Sequence, residues 1–376
     1  MQTSDGYLLQ LFRVRLSQKS LKNSTLSIQQ NLRTPILLQH GLIGSADDWF
    51  INGEKGSLGY HLVDQGYDVW VGNNRGNKYA QGHTNAKISE GDFYNFSFEQ
   101  MGLFDMPAIY ARILGFYGDG KKIVHIGTSQ GSSQMYVGLT DESTKDFLRR
   151  HTRRFIAVAP IAYMTQVSSS GLEYISKFVK LGGFAADAFG IHGILQGGCF
   201  QNPDWIKVMA WACDNFKQFC TGLTDFFIGS STVDNLAGNF DTLINHLPSG
   251  CSLNSYLHYA QLIDGDIWGN PVFRKWDHGI IGNLYNYGQA SPPEWQFGDW
   301  DTPHTLIEEG ADDLGTKANI DVLTKQLDKG YYDQYVIPKW EHISCLCAKD
   351  PKPMFDIIDK VLAQDFTETT PNKIFQ

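Results

Sequence analysis

The run "KKIVHIGTSQGSSQMYVGL", residues 121–139, decides the fold. Apolar and β-branched residues stop abruptly at Gly127-Thr128-Ser129-Gln130-Gly131, and the residues that follow read as a helix. A sharp strand-to-helix turn around a serine forces tight backbone approaches on either side. The positions two before and two after it therefore favour glycine, because a Cβ would clash. Gly127 and Gly131 supply that clearance, and this is the only Gly-x-Ser-x-Gly in the chain. Such a turn lifts the Ser129 hydroxyl clear of the sheet and points the first N–H groups of the helix to where an oxyanion would form.

Outward from this turn, short strands alternate with helical patterns. "PILLQHG" (35–41), "GYDVWVG" (66–72), "KKIVHIG" (121–127) and "FIAVAP" (155–160) are separated by helical candidates around 57–65, 97–116 and 131–149. The rhythm resumes with "PHTLIEEGADD" (303–313) as a strand, 316–329 as a helix, "YYDQYVIPKW" (331–340) as a strand and 353–363 as a closing helix. It predicts an α/β fold, a mainly parallel sheet with helices on both faces. Residues 164–300 are rich in Gly, Phe and Trp and lack strand alternation, so they read as a mostly helical insertion. The expected organisation is a core made of 1–163 and 301–376 interrupted by a cap over 164–300. Within it, 172–196 is strongly apolar. It reads as a helical pair packed on the core, or as a mobile cover hinged at Gly182-Gly183 if the site beneath handles apolar substrates.

A chain of 376 residues with 13% aromatic and 19% charged residues buries a large core, and disorder is excluded. The formal charge of −9 comes with no long basic stripe, which argues against nucleic acid as a partner. "RRHTRR" at 149–154 reads as a solvated helix end or loop. No apolar run reaches bilayer-spanning length, so no transmembrane segment is expected. The start, "MQTSDGYLLQLFRVRLS", lacks a basic stretch followed by an apolar one. It reads as a turn and then a strand in which Phe12, Val14 and Leu16 alternate with Arg13 and Arg15. Asn23 and Asn95 sit in glycosylation sequons. Six cysteines are too few for a disulfide framework; Cys213 and Cys220 lie close in sequence, as a staple or as two thiols. "HISCLCAKD" gathers His342, Cys345, Cys347 and Asp350, but no second ligand pair with zinc spacing answers it, so no metal is expected. "GFYGDGKK" (115–122) has Lys where a phosphate-binding loop requires Ser or Thr, and leads into a strand; it reads as a helix-ending turn.

A serine hydroxyl needs a histidine to take its proton, and the histidine needs an acid to fix its tautomer. In this type of sheet the chain order is Ser, then Asp or Glu, then His, on loops after late strands. His342 follows "YYDQYVIPKW", whereas His246, His258 and His278 lie inside the insertion. Asp312 follows "HTLIEEG", and spacing alone does not separate it from Asp313. "LLQHGLIGSADDW" ends a strand at His40-Gly41, so the Leu42 N–H is the expected second oxyanion donor beside that of Gln130.

"LLQHGLIGSADDW", "VWVGNNRGNKYAQGH", "FYNFSFEQMGLFDMPA", "HIGTSQG", "NHLPSGCSLNSYLHYAQ", "YNYGQASPPEW" and the Asp-x-Leu of "GADDLGT" occur in an order that resembles the acid lipase family, which includes gastric and lysosomal acid lipases. The resemblance runs from about residue 3 to 365. It implies an α/β-hydrolase fold with a helical cap and lid, no metal or organic cofactor, and cleavage of acylglycerols or sterol esters at a lipid–water interface. A secreted or endolysosomal setting is implied too. Carried over position by position, it assigns Ser129 as nucleophile, Asp312 rather than Asp313 as acid, His342 as base, and Leu42 and Gln130 as oxyanion donors, and it pairs Cys213 with Cys220. Three departures stand out. Thr128 occupies the place of the family's histidine before the nucleophile, Leu314-Gly315-Thr316 replaces Leu-Ala-Asp after the acid, and the opening residues do not read as the family's N-terminal leader, so none is expected in them. The rival readings are a soluble short-chain esterase or thioesterase, disfavoured by the apolar 172–196, and a non-catalytic binding protein on the same fold.

Overall fold

Successive residues of a strand leave it on opposite sides, and here both sides are apolar because both are covered. In the computed structural model, which describes residues 1–14, 34–118, 120–167, 192–194, 240–327, 331–364 and 374–375, Leu37, Ile123, Phe155, Ala157 and Leu306 enter one core. Their neighbours Ile36, Leu38, Val124, Ile126, Ile156, Val158 and Ile307 enter another on the opposite face. The strands that carry them are β1 (Leu11–Arg13), β2 (Pro35–Gln39), β3 (Asp68–Gly72), β4 (Ile123–Ser129), β5 (Thr152–Pro160), β6 (His304–Glu309), β7 (Tyr332–Ile337) and β8 (Ile374–Phe375). They form one sheet in the order β8-β7-β6-β5-β4-β2-β3-β1. Only β1 is antiparallel to its neighbour.

Helices α1 (Leu58–Asp64) and α8 (Lys352–Ala363) cover the second core through Leu58, Leu62, Phe355, Ile358 and Val361. Between them in sequence, α2 (Met106–Tyr117) and α3 (Gln130–Thr140) cover the first through Ile109, Tyr110, Ile113 and Val137. Further helices among the described residues are α4 (Lys145–His151), α5 (Leu253–Asp264), α6 (Gly279–Tyr287) and α7 (Lys317–Gln326). This is the expected doubly covered α/β sheet. Three helices, Phe240–His246, α5 and α6, account for much of what is described of 164–300, and Gly193–Ile194 pairs with Cys251–Ser252 beside them. The apolar 172–191 and 195–196, the Cys213–Cys220 pair and Asn23 lie outside the described residues. Asn95 is exposed. Among the described residues no helix is long and apolar enough to cross a membrane.

One sequence expectation is corrected in part. The first half of "RRHTRR" is a helix end as expected, the last turn of α4 with Arg150 exposed, but the run is not solvated throughout: Arg149 binds the Leu139 carbonyl and Asp299, while Arg154 is buried at the start of β5, donating to Asp333 and Thr305. The strand expected at the start of the chain is present as β1, with Phe12 exposed. Arg13 lies against the Trp70 ring and donates twice to the buried Asp68, so the cation has the inward partner.

One cation ties the N-terminal segment to the core, beside the pairing of Tyr7–Leu8 with Gly82–His83. Arg75, 1% exposed, donates to both carboxylate oxygens of Asp5 (2.6 and 3.0 Å) and to Asp105 Oδ1 (2.6 and 2.8 Å), with its guanidinium 3.9 Å from the centre of the Tyr7 ring. Asp105 ends a wide π-type turn, Met101–Asp105, that interrupts the helix expected over 97–116. Arg75→Met leaves the Asp105 carboxylate buried and unpaired. We expect a loss of about 3–5 kcal/mol, read by urea unfolding as a fall in midpoint at constant slope.

Candidate active site

The expected turn is built as its glycines require. A Cβ on Gly127 would stand 2.5 Å from the Gly131 carbonyl oxygen, and one on Gly131 would stand 2.3 Å from that of Gln39. Both are backbone contacts that cannot yield, so only glycine fits. Between them Ser129 sits at the end of β4 with φ +51°, a left-handed conformation in a non-glycine residue. Gln130 starts α3, and the first N–H groups of a helix have no acceptor within it.

Two late loops bring the partners. His342 lies five residues after β7, and its Nε2 stands 2.8 Å from Ser129 Oγ. Its Nδ1 stands 2.7 Å from Asp312 Oδ2, three residues after β6. The other oxygen of Asp312 accepts the N–H groups of Leu314 (2.7 Å) and Gly315 (3.0 Å). The departure Leu314-Gly315-Thr316 thus still anchors the acid, through backbone rather than side chains, and a Cβ on Gly315 would crowd the Asp312 carboxylate at 2.8 Å. Asp312 and His342 are buried, Ser129 only partly. Asp313 is more exposed than its neighbour Asp312. Of the competing histidines, His258 is buried between Ser97 Oγ and the Arg274 carbonyl, and burial holds it neutral, with its pKa lowered to about 3. His246 pairs with Asp47.

The loop after β2 packs against the serine. A Cβ on Gly41 would lie 3.2 Å from Ser129 Cβ, so Leu42 follows at the site's edge. His40 fixes this loop: Nδ1–H donates to the Gly41 carbonyl (2.8 Å), and Nε2 accepts the Asn74 N–H (3.0 Å). Burial lowers its pKa to about 4, which keeps it in that neutral form. Asn73 accepts the Ala46 N–H, and Asn77 donates to Asn73. The "GNNRGN" segment is therefore scaffolding for the oxyanion loop, a role that sequence reading missed. The segment 246–249 also grips this loop, through Ser249 N–H to the Ile43 carbonyl (2.6 Å) and His246 Nδ1 to Asp47 (2.7 Å).

A second group that sequence reading missed lies behind the histidine. Glu309, the last residue of β6, is buried, and its Oε1 accepts the Cys345 N–H at 3.0 Å. The Cys345 thiol lies 3.3 Å from Thr128 Oγ1, the residue standing where a histidine was expected. The available signal was "LIEEG", two adjacent acids in an otherwise apolar strand, one of which must face inward. Glu309, Asp312 and His342 are the one set of possible cation ligands that converge among the described residues. Both nitrogens of His342 are already engaged there, and Cys345, Cys347 and Asp350 do not join the set.

Similarity to known proteins agrees with the fold that carries these residues. The family description "Partial alpha/beta-hydrolase lipase region" matches residues 1–53, and "alpha/beta hydrolase fold" matches 34–137. Gastric triacylglycerol lipase of Bos taurus is 30% identical over 367 residues, spanning 96% of this chain and 87% of that one. Lysosomal acid lipase/cholesteryl ester hydrolase of Homo sapiens is 27% identical, over 93% and 83%. In fold, a soluble variant of monoglyceride lipase from Saccharomyces cerevisiae superposes with a TM-score of 0.52 at 13% identity, over 96% and 93% of the two chains.

Proposed function

The chain belongs to the acid lipase family of α/β-hydrolases and is a carboxylic ester hydrolase, and from that premise we propose that it cleaves neutral lipid esters, acylglycerols or sterol esters, through an acyl-enzyme on Ser129. The observation that carries this reading is the unbroken hydrogen-bonded chain from Ser129 through His342 to Asp312. His342 Nε2 takes the hydroxyl proton as Ser129 Oγ attacks the ester carbonyl. Asp312 accepts from Nδ1–H and stabilises the imidazolium, while the N–H groups of Leu42 and Gln130 hold the oxyanion. The imidazolium returns the proton to the leaving alcohol. Water then takes the same route to free the acid.

The lipid substrate class rests on the similarity to a triacylglycerol lipase and a cholesteryl ester hydrolase. Residues 164–300 are assigned to a cap over the acyl slot, and a secreted or endolysosomal setting follows the gastric and lysosomal relatives. Rates on emulsified trioleoylglycerol, cholesteryl oleate and a dissolved acetate ester test the reading. Faster acyl release from the emulsified long-chain esters is expected. Turnover of the acetate alone would replace the lipase reading with that of a short-chain esterase.

A further inference from the structure

Glu309 is a buried acid with too few donors to be a stable anion. Its Oε1 has the single N–H of Cys345, and its Oε2 makes no hydrogen bond. One of its carboxyl oxygens, one of Asp312 and a ring nitrogen of His342 all lie within 4.8 Å of one another. The groups facing it offer little compensation, since beside that N–H there is only the Cys345 thiol, a weak donor. Asp312 follows on its own strand's loop, and Glu341, His342, Cys345 and Cys347 come from the loop after β7, with the Thr128 hydroxyl behind Cys345. Asp312 already uses its charge on Nδ1–H and two backbone donors. Two anions side by side in that space disfavour each other, and one must keep its proton.

We propose that Glu309 is a positioning residue for the hydrolytic reaction: a neutral carboxyl that ties the His342 loop to the strand carrying Asp312, leaving Asp312 as the one anion beside the imidazole. This rests on the catalytic reading of Ser129, His342 and Asp312. Burial, reinforced by the Asp312 carboxylate, pushes Glu309 well above the usual carboxylate range, in agreement with the geometry.

The test compares full-length Glu309→Gln and Glu309→Met with the parent on a soluble ester, between about pH 4 and pH 9. Gln matches a protonated acid and keeps an acceptor for the Cys345 N–H, whereas Met fills the space and accepts nothing. For Gln, kcat within about twofold and an unmoved acid limb of kcat/KM are expected, because a neutral group has replaced a neutral group. For Met, kcat falls by roughly tenfold at constant KM, because His342 is no longer held in line. A Gln acid limb displaced downward by about one pH unit or more would mean that Glu309 is charged, and overturns the proposal. An unchanged kcat in Met overturns the anchoring role. Phosphonate labelling of the same samples separates the two levels. Without label on Ser129 the catalytic reading itself fails, whereas full labelling with an unaltered Met variant removes Glu309 alone.

Discussion

Ser129→Ala is expected to lower kcat on a long-chain ester by about ten-thousandfold to a millionfold, with thermal unfolding close to that of the parent. The size of the loss follows from the geometry. Ser129 Oγ is the atom that His342 Nε2 faces at 2.8 Å, and no other described hydroxyl takes that place. Removing it leaves the imidazole and the acid in position with nothing to activate except water. What remains is binding and oxyanion stabilisation, which together retain a thousandfold or so over the uncatalysed reaction. Stability is spared because one oxygen is lost at a partly exposed position, and the strained φ of +51° is as tolerable for Ala as for Ser. A serine-directed phosphonate should label the parent once and the variant not at all. Turnover within tenfold of the parent would mean that the nucleophile lies elsewhere and would dismantle the mechanism.

What was legible in the sequence was local or periodic. The turn at 127–131 announces itself because glycine spacing is a backbone requirement within five residues. The strands announce themselves because burial on both faces leaves continuous apolar runs. His342 could be chosen over its rivals because it follows a strand and precedes a closing helix, which is topology readable from order alone. The supporting interactions were illegible because each joins residues far apart: Arg75 to Asp5, Arg154 to Asp333, Glu309 to Cys345. "RRHTRR" was misjudged for the same reason, since nothing within 149–154 reveals that Asp333 waits in β7 for Arg154. A charge read without its distant partner looks solvated. Likewise the π-type turn at 101–105 lies within a helical pattern, and only the packing of Gly102 against Gln134 marks the place, where a Cβ would come within 2.5 Å of the Gln134 carbonyl.

The choice that spacing left open between Asp312 and Asp313 is one that kinetics can test. Asp312→Asn is expected to lower kcat by roughly ten-thousandfold near neutral pH, whereas Asp313→Asn should change it by no more than about twofold. The asymmetry comes from how each side chain is held. Asp312 Oδ2 faces His342 Nδ1 at 2.7 Å, and Oδ1 is pinned by the N–H groups of Leu314 and Gly315. An Asn there must keep its carbonyl oxygen toward those two backbone donors, because its NH2 group can only donate. That turns its NH2 toward Nδ1, which then becomes an acceptor and carries no proton. The proton moves to Nε2, the nitrogen that must accept from Ser129, and the base is lost although nothing has shifted in space. Raising the pH should restore part of the rate as the serine hydroxyl ionises without help, so the variant's rate should climb where the parent's is flat. Both ring nitrogens of His342 are taken by Asp312 and Ser129, which leaves Asp313, the more exposed of the two acids, no such leverage. A large loss in Asp313→Asn with a mild one in Asp312→Asn would reverse the assignment and require the loop after β6 to reorganise when substrate binds.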